Sequence, residues 1–231
     1  MAYKRSQESL GINPDPRIWI DVKTKEGWYR KRKPKVKPKL NPVFQEHNIA
    51  QAESMPAAMR ILNRLEEWTR GFELGRIHMM INSKLKKSYL EDGKISFKYL
   101  LRLDIQPKRT LKQLLIQVPY ASVTDEVMVK ILISDQMIKV KKSIFTDYFF
   151  ELIMLWGDPT KERGLRVDSV ESPIFSKKII EAEDCVLRIN IPSTRQPWMC
   201  LLKAGCIEGN EMAKHPRHYG MKVIAVGGWQ I

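Results

Sequence analysis

A chain of 231 residues in which 43% of side chains are hydrophobic and 29% charged has the make-up of a folding protein, and its length fits one ordinary domain with appendages or two small ones. Forty Lys and Arg against 26 Asp and Glu leave a net charge of +14, which points to an anionic partner: nucleic acid, an acidic protein face or an anionic membrane. Three cysteines, Cys185, Cys200 and Cys206, are an odd number in a chain too large to need staples, which argues against a disulfide scaffold and for a reducing compartment.

Residues 1–53 read as an extended basic arm. Residues 1–42 alone hold 12 Lys and Arg against 4 Asp and Glu, net +8, while the remaining 189 residues carry +6. No apolar run follows Lys4 and Arg5, so no secretory signal is expected, and the expected location is cytoplasmic or inside a virus particle. The apolar run Arg17-Ile18-Trp19-Ile20-Asp21-Val22 and the following Gly27-Trp28-Tyr29 bring aromatics that suit docking. Seven cations then fall in ten positions: Arg30, Lys31, Arg32, Lys33, Lys35, Lys37 and Lys39. Self-repulsion, with Pro34 and Pro38 between them, favours an extended, polyproline-like strand over a helix.

Residues 54–116 read as a helical segment. Ser54 stands near an N-cap with Pro56 in the first turn, and Met55, Met59, Leu62, Leu65 and Phe72 recur at helical spacing. Gly71 and Gly75 end or bend that helix. Leu74, Ile77, Ile81 and Leu85 define a second stripe up to the turn at Asp92-Gly93, and the region 94–116 reads as one or two short helices.

Residues 117–231 read as an antiparallel β domain. Runs at 127–133, 138–142, 148–156, 165–170, 185–191, 198–207 and 221–226 are rich in β-branched and other apolar residues, and turn signals separate several of them. About seven strands without intervening helices predict a sandwich or barrel, so the expected fold class is α+β. The longest apolar run, 148–156, is nine residues and contains Glu151, far short of the ~20 residues of a membrane span.

Chemistry-bearing clusters are sparse. Zinc takes thiolate and imidazole ligands, and Cys200, Cys206, His215 and His218 are the available set. Five residues separate the cysteines and two the histidines, so packed strand cysteines and a surface histidine loop are the better reading. None of the four histidines sits in a recognisable nucleophile or carboxylate context, and residues 157–164 lack the Gly-Lys-Ser/Thr of a phosphate loop. The acidic pairs Glu66-Glu67 and Glu183-Asp184, with Glu181 nearby, read as solvated faces, and His78 as a partly buried packing residue.

In order and local phrase the chain resembles a group of uncharacterised basic proteins common in Bacteroidetes genomes, with a short basic arm, an Asn-Pro-x-Phe element, a helical middle and a β-sandwich-like C-terminal half. The matching pieces are Asn41-Pro42-Val43-Phe44, the helix over 57–68 and the closing strands at 198–202 and 221–226. The resemblance implies this architecture and no catalytic motif. In architecture alone the chain is also similar to proteins of phage particles, where small sandwiches carry arms that reach across neighbours.

The expectation is therefore a non-catalytic binding or assembly protein without a cofactor or metal. Arg30, Lys31, Arg32, Lys33, Lys35, Lys37 and Lys39, with Arg60 and Arg64 on the helix, would meet nucleic acid or an acidic partner subunit, while Trp19, Trp28 and Tyr29 dock the arm. Two alternatives stand beside it. One is a structural component of a phage or other large oligomeric particle, and the other an enzyme or metal-binding protein that gathers His215, His218, Cys200, Glu208 and Glu211.

Overall fold

The computed structural model describes residues 19–25, 27–32, 41–139, 145–178, 181–192, 196–209 and 211–228. The chain divides into two compact units, Met1–Gln45 and Glu46–Ile231. Its class is the expected one, α+β with antiparallel sheets.

In the first unit, β1 (Trp19–Thr24) and β2 (Gly27–Arg32) form an antiparallel hairpin in which Thr24 pairs with Gly27 and Trp19 with Arg32. Gly27 takes φ +126°, which its missing Cβ permits as the chain leaves the turn. Arg30, Lys31 and Arg32, expected in a polyproline-like strand, instead pair with Asp21, Ile20 and Trp19. Ladder hydrogen bonds favour the paired form there. Lys33, Lys35, Lys37 and Lys39 lie outside the described residues.

The first helix, α1, spans Pro42–Arg64. Its start corrects the expected boundary near Ser54: residues 42–53, assigned to the arm, are already helical. The physical reason is local. Pro42 has no N–H to leave unsatisfied at a first helical position, and the Asn41 side chain accepts from the Val43 N–H at 3.0 Å. Pro56 lies inside the helix rather than in its first turn. Of the expected stripe, Leu65 is buried and Leu62 and Phe72 pack partly buried against the core, but most of the inward face of α1 is made of other residues. Ala50, Ser54, Ala57, Ala58 and Ile61 are inside, whereas Met59 is 44% exposed. Small side chains on that face let the helix approach its neighbours closely.

The second helix, α2 (Ile77–Asp92), buries the predicted stripe Ile77, Ile81 and Leu85, and ends on Gly93 in the left-handed region, whose N–H bonds Tyr89 O. A buried hydrogen bond from Ser54 Oγ to Asn82 Oδ1, 2.7 Å, joins the two helices. The expected short helices at 94–116 are a 3-10 turn at Phe97–Leu100 and α3 (Leu111–Leu114).

The strands that follow are β3 (Ala121–Val123), β4 (Glu126–Ile133), β5 (Asp147–Gly157), β6 (Leu165–Glu171), β7 (Phe175–Ser176), β8 (Glu183–Asn190), β9 (Trp198–Glu208), β10 (Glu211–Met212) and β11 (Tyr219–Gly227). The run expected as a strand at 138–142 contributes a single bridge, Ile138 to Leu115, and residues 140–142 are outside the described set. One sheet places β5 between β9 and β6, with β7 also on β5 and with β10 and β11 on β9; a second runs β3-β4-β8.

Strand alternation then builds two cores from one central sheet. Tyr148, Phe150, Leu152 and Met154 of β5, with Cys200, Leu202 and Ala204 of β9, pack with Val127, Val129, Ile131 and Leu187 of the small sheet. The opposite face, Ile153, Leu155, Met199, Leu201, Met221 and Val223, packs against Ala57, Ile61, Ile81 and Leu85 of the helices. Each fully buried Leu or Ile contributes about 1.5–3 kcal/mol. This two-sided burial explains why β5 and β9 read as continuous apolar runs. Beyond β11, residues 102–105 cover its edge: Arg102 N bonds Val223 O and Ile105 N bonds Met221 O, each at 2.9 Å. Among the described residues no helix is long and apolar enough to cross a membrane.

Candidate functional site

The basic segment begins on β2, at Arg30, Lys31 and Arg32, whose partners in register lie on β1. Val22 and Trp28 are half-buried and Lys25 is exposed.

The two helical arginines differ. Arg60 Nη1 donates to Pro159 O (3.2 Å) and Thr160 O (2.9 Å), so its guanidinium ties α1 to the loop after β5. Arg64 is exposed at the end of the helix.

The Cys/His region converges only in part. Cys200 and Cys206 lie on the core face of β9, fully buried, and burial pushes both thiols up to about 12. Protonated thiols among hydrocarbon are poor ligands and poor nucleophiles. His215 Nδ1 accepts from Arg217 N at 3.1 Å at the start of a 3-10 turn, Pro216–His218. His218 is buried, with Nδ1 3.2 Å from Glu208 Oε1 and Nε2 accepting from Arg217 Nε at 3.3 Å. Burial pushes the His218 pKa below the ordinary value against the opposing pull of Glu208. The two imidazole centroids are 5.9 Å apart. Glu211 is exposed on β10, opposite Glu208 in register. His215, His218 and Glu208 thus come together, whereas Cys200 and Cys206 are held in the core. Among the described residues no three His, Cys, Asp or Glu are grouped to hold a metal ion.

The acidic pairs lie on the surface. Glu66, Glu67, Glu181, Glu183 and Asp184 are exposed, and Asp184 pairs with Lys130 at 2.7 Å. His78 is half-buried beside Ile77.

Two polar features were not singled out from the sequence. Glu151 and Lys203 meet inside the central sheet, and Trp68 Nε1 donates to Glu151 Oε1 at 2.6 Å. Each is the only charge within its apolar run, 148–156 and 198–207, and two such interruptions in strands of equal length are a legible signal. The second feature is a cleft between Arg109 and Arg217, residues 108 positions apart whose proximity no local pattern encodes. The chain matches no family model, no curated protein and no solved structure.

Proposed function

We propose that the chain is a non-catalytic binding and assembly protein whose basic N-terminal segment grips nucleic acid. The observation that carries this reading is the hairpin, which brings Arg30, Lys31 and Arg32 onto a two-stranded antiparallel ribbon; Lys33, Lys35, Lys37 and Lys39 follow in sequence. Two-stranded antiparallel ribbons fit the major groove of B-form DNA, about 12 Å wide. The segment's sequence interleaves Trp19, Trp28 and Tyr29 with cations, the pairing with which proteins hold nucleic acid without sequence preference.

In this reading the two sheets of the larger unit form a sandwich-like rigid body, and Arg64, exposed at the end of α1, is a further cation of that unit. Arg60 contributes charge while its hydrogen bonds hold the loop after β5. The competing occupant of the basic segment is an acidic partner subunit.

The test is binding of the full chain to mixed-sequence duplex and single-stranded oligonucleotides at low salt, beside a variant with all seven cations from Arg30 to Lys39 changed to Gln. Loss of binding in the variant, with an unchanged thermal midpoint, supports the assignment. Equal binding by the two proteins, or no binding by the parent chain, overturns it and favours the acidic subunit.

A further inference from the structure

A second anion site lies in the larger unit. Its cavity, about 290 Å³, is lined by Arg109, Thr110, Gln113, Leu114, Arg217 and Tyr219. Pockets that enclose a whole small molecule hold roughly 300–1,000 Å³, so this one stands at the small end of that range.

The two segments that supply the arginines are tied together. Gln106 Nε2 donates to Pro216 O at 2.8 Å, and Asp104 Oδ1 accepts from Leu111 N at 3.0 Å. Arg217 is aimed by its neighbours: its N–H bonds His215 Nδ1 and its Nε bonds the buried His218, which leaves both terminal nitrogens to donate. Among the described residues neither Arg109 nor Arg217 forms an ion pair. Of the nearby carboxylates, Glu73 bonds Lys108 at 2.6 Å and feels Arg109 only as a weaker, longer-range charge, and Glu208 lies 3.2 Å from His218 Nδ1. Gln113 Oε1 accepts from Thr110 N at 2.9 Å, so its amide NH₂ remains a donor. The floor, Leu114 and Tyr219, is buried and apolar, which strengthens any charge interaction above it.

We propose that this cleft binds a phosphate group, held between the guanidinium groups of Arg109 and Arg217 with the Thr110 hydroxyl and Gln113 amide as further donors. Two cationic forks match a dianion, and their donors exceed the roughly four acceptor positions of one carboxylate. The group belongs either to a free phosphate ester or to the end of a polynucleotide.

The experiment is calorimetric titration of the full chain with inorganic phosphate at low ionic strength, beside Arg109→Gln, Arg217→Gln and Lys112→Gln. Lys112 is exposed on the same short helix and does not line the cleft. The expected result is saturable binding that weakens about tenfold or more in each arginine variant and stays unchanged in Lys112→Gln. Among the described residues Arg109 is exposed and makes no side-chain hydrogen bond or ion pair, so its replacement is expected to leave the fold intact. No saturable binding, unchanged affinity in Arg109→Gln, or an equal loss in Lys112→Gln overturns the site.

A single-stranded hexanucleotide with and without a 5′-phosphate then separates the sources. A phosphate-dependent gain that Arg109→Gln removes assigns a polynucleotide end, whereas equal binding of the two oligomers, with inorganic phosphate still bound, assigns a free ester. Repeating the phosphate titration on the variant with seven glutamines between residues 30 and 39 keeps the two anion sites separate, because failure of either leaves the other measurable.

Discussion

Lys203 of β9 stands directly opposite Glu151 of β5, with Nζ 3.1 Å from Oε2 and both side chains about nine-tenths buried. The second carboxylate oxygen accepts from Trp68 Nε1, so the pair also joins the turn after α1 to the sheet. A buried pair of this kind is costly to break, because the survivor keeps its desolvation penalty without its partner. Lys203→Met is expected to destabilise the fold by about 3–5 kcal/mol in urea unfolding. The double variant Glu151→Leu with Lys203→Met should recover much of that loss. A single-variant loss under about 1 kcal/mol would show that the pair is solvated in solution.

Electrostatic gripping by the basic run carries a salt signature. If seven cations each displace a condensed counterion from duplex DNA, the slope of log K against log salt should be about −6. Changing Lys35, Lys37 and Lys39 to Gln should reduce it by about 3. A slope near zero in a filter-binding titration would mean that phosphates are not what the segment meets.

His218 supplies a pH-dependent component of stability. Burial lowers its folded pKa beneath the ordinary imidazole value of about 6.5, so the fold holds it neutral while the unfolded chain takes up a proton below that value. The unfolded state then binds more protons, and stability falls as pH drops from 6.5 toward the folded pKa, by at most about 1.4 kcal/mol per pH unit from this group. Above pH 6.5 the group contributes no slope. His218→Gln should flatten this part of the profile in denaturant unfolding at pH 5 to 7, and an unaltered slope would assign it to carboxylates.

The cysteines should be silent in the native state. Burial raises all three thiols, Cys200 and Cys206 to about 12, so a thiolate-detecting reagent at pH 8 should find almost none of the three in the folded chain and all three in denaturant. Cys185, 7% exposed, should be the first to react on prolonged incubation. Rapid native labelling of Cys206 would show that β9 opens locally.

Gly220 presses against the backbone of α3. A Cβ there would lie 2.9 Å from Leu111 Cα, an atom that can move only with its helix. Gly220→Ala is expected to cost about 1–3 kcal/mol of stability by overpacking, measured as a lowered denaturation midpoint. An unchanged midpoint would mean that α3 shifts freely.

The strands at 148–156 and 198–207 and the stripe at Ile77, Ile81 and Leu85 were legible because burial imposes a period or an unbroken apolar run on nearby residues. The start of α1 was misread because Pro56 resembles a first-turn proline and the inward face is alanine, which carries little hydrophobic contrast. Asn41-Pro42 held the better signal. The histidine loop was legible as a group, yet only the return of β11 beside β9 decides that His218 meets Glu208 while the cysteines point into hydrocarbon.

By itself the sequence determined the α+β class, the concentration of positive charge at residues 30–39 and the apolar runs of the central sheet, since each depends on residues close together in the chain. Only the tertiary structure decided which charges face each other. The meeting of Glu151 with Lys203 follows from the pairing of β5 with β9, and the placing of Arg109 and Arg217 around one cleft from the hydrogen bonds that lay residues 104–106 along β11 and the loop before it. Both arrangements join residues far apart in sequence, where the energy lies in strand register and long-range packing rather than in any local pattern.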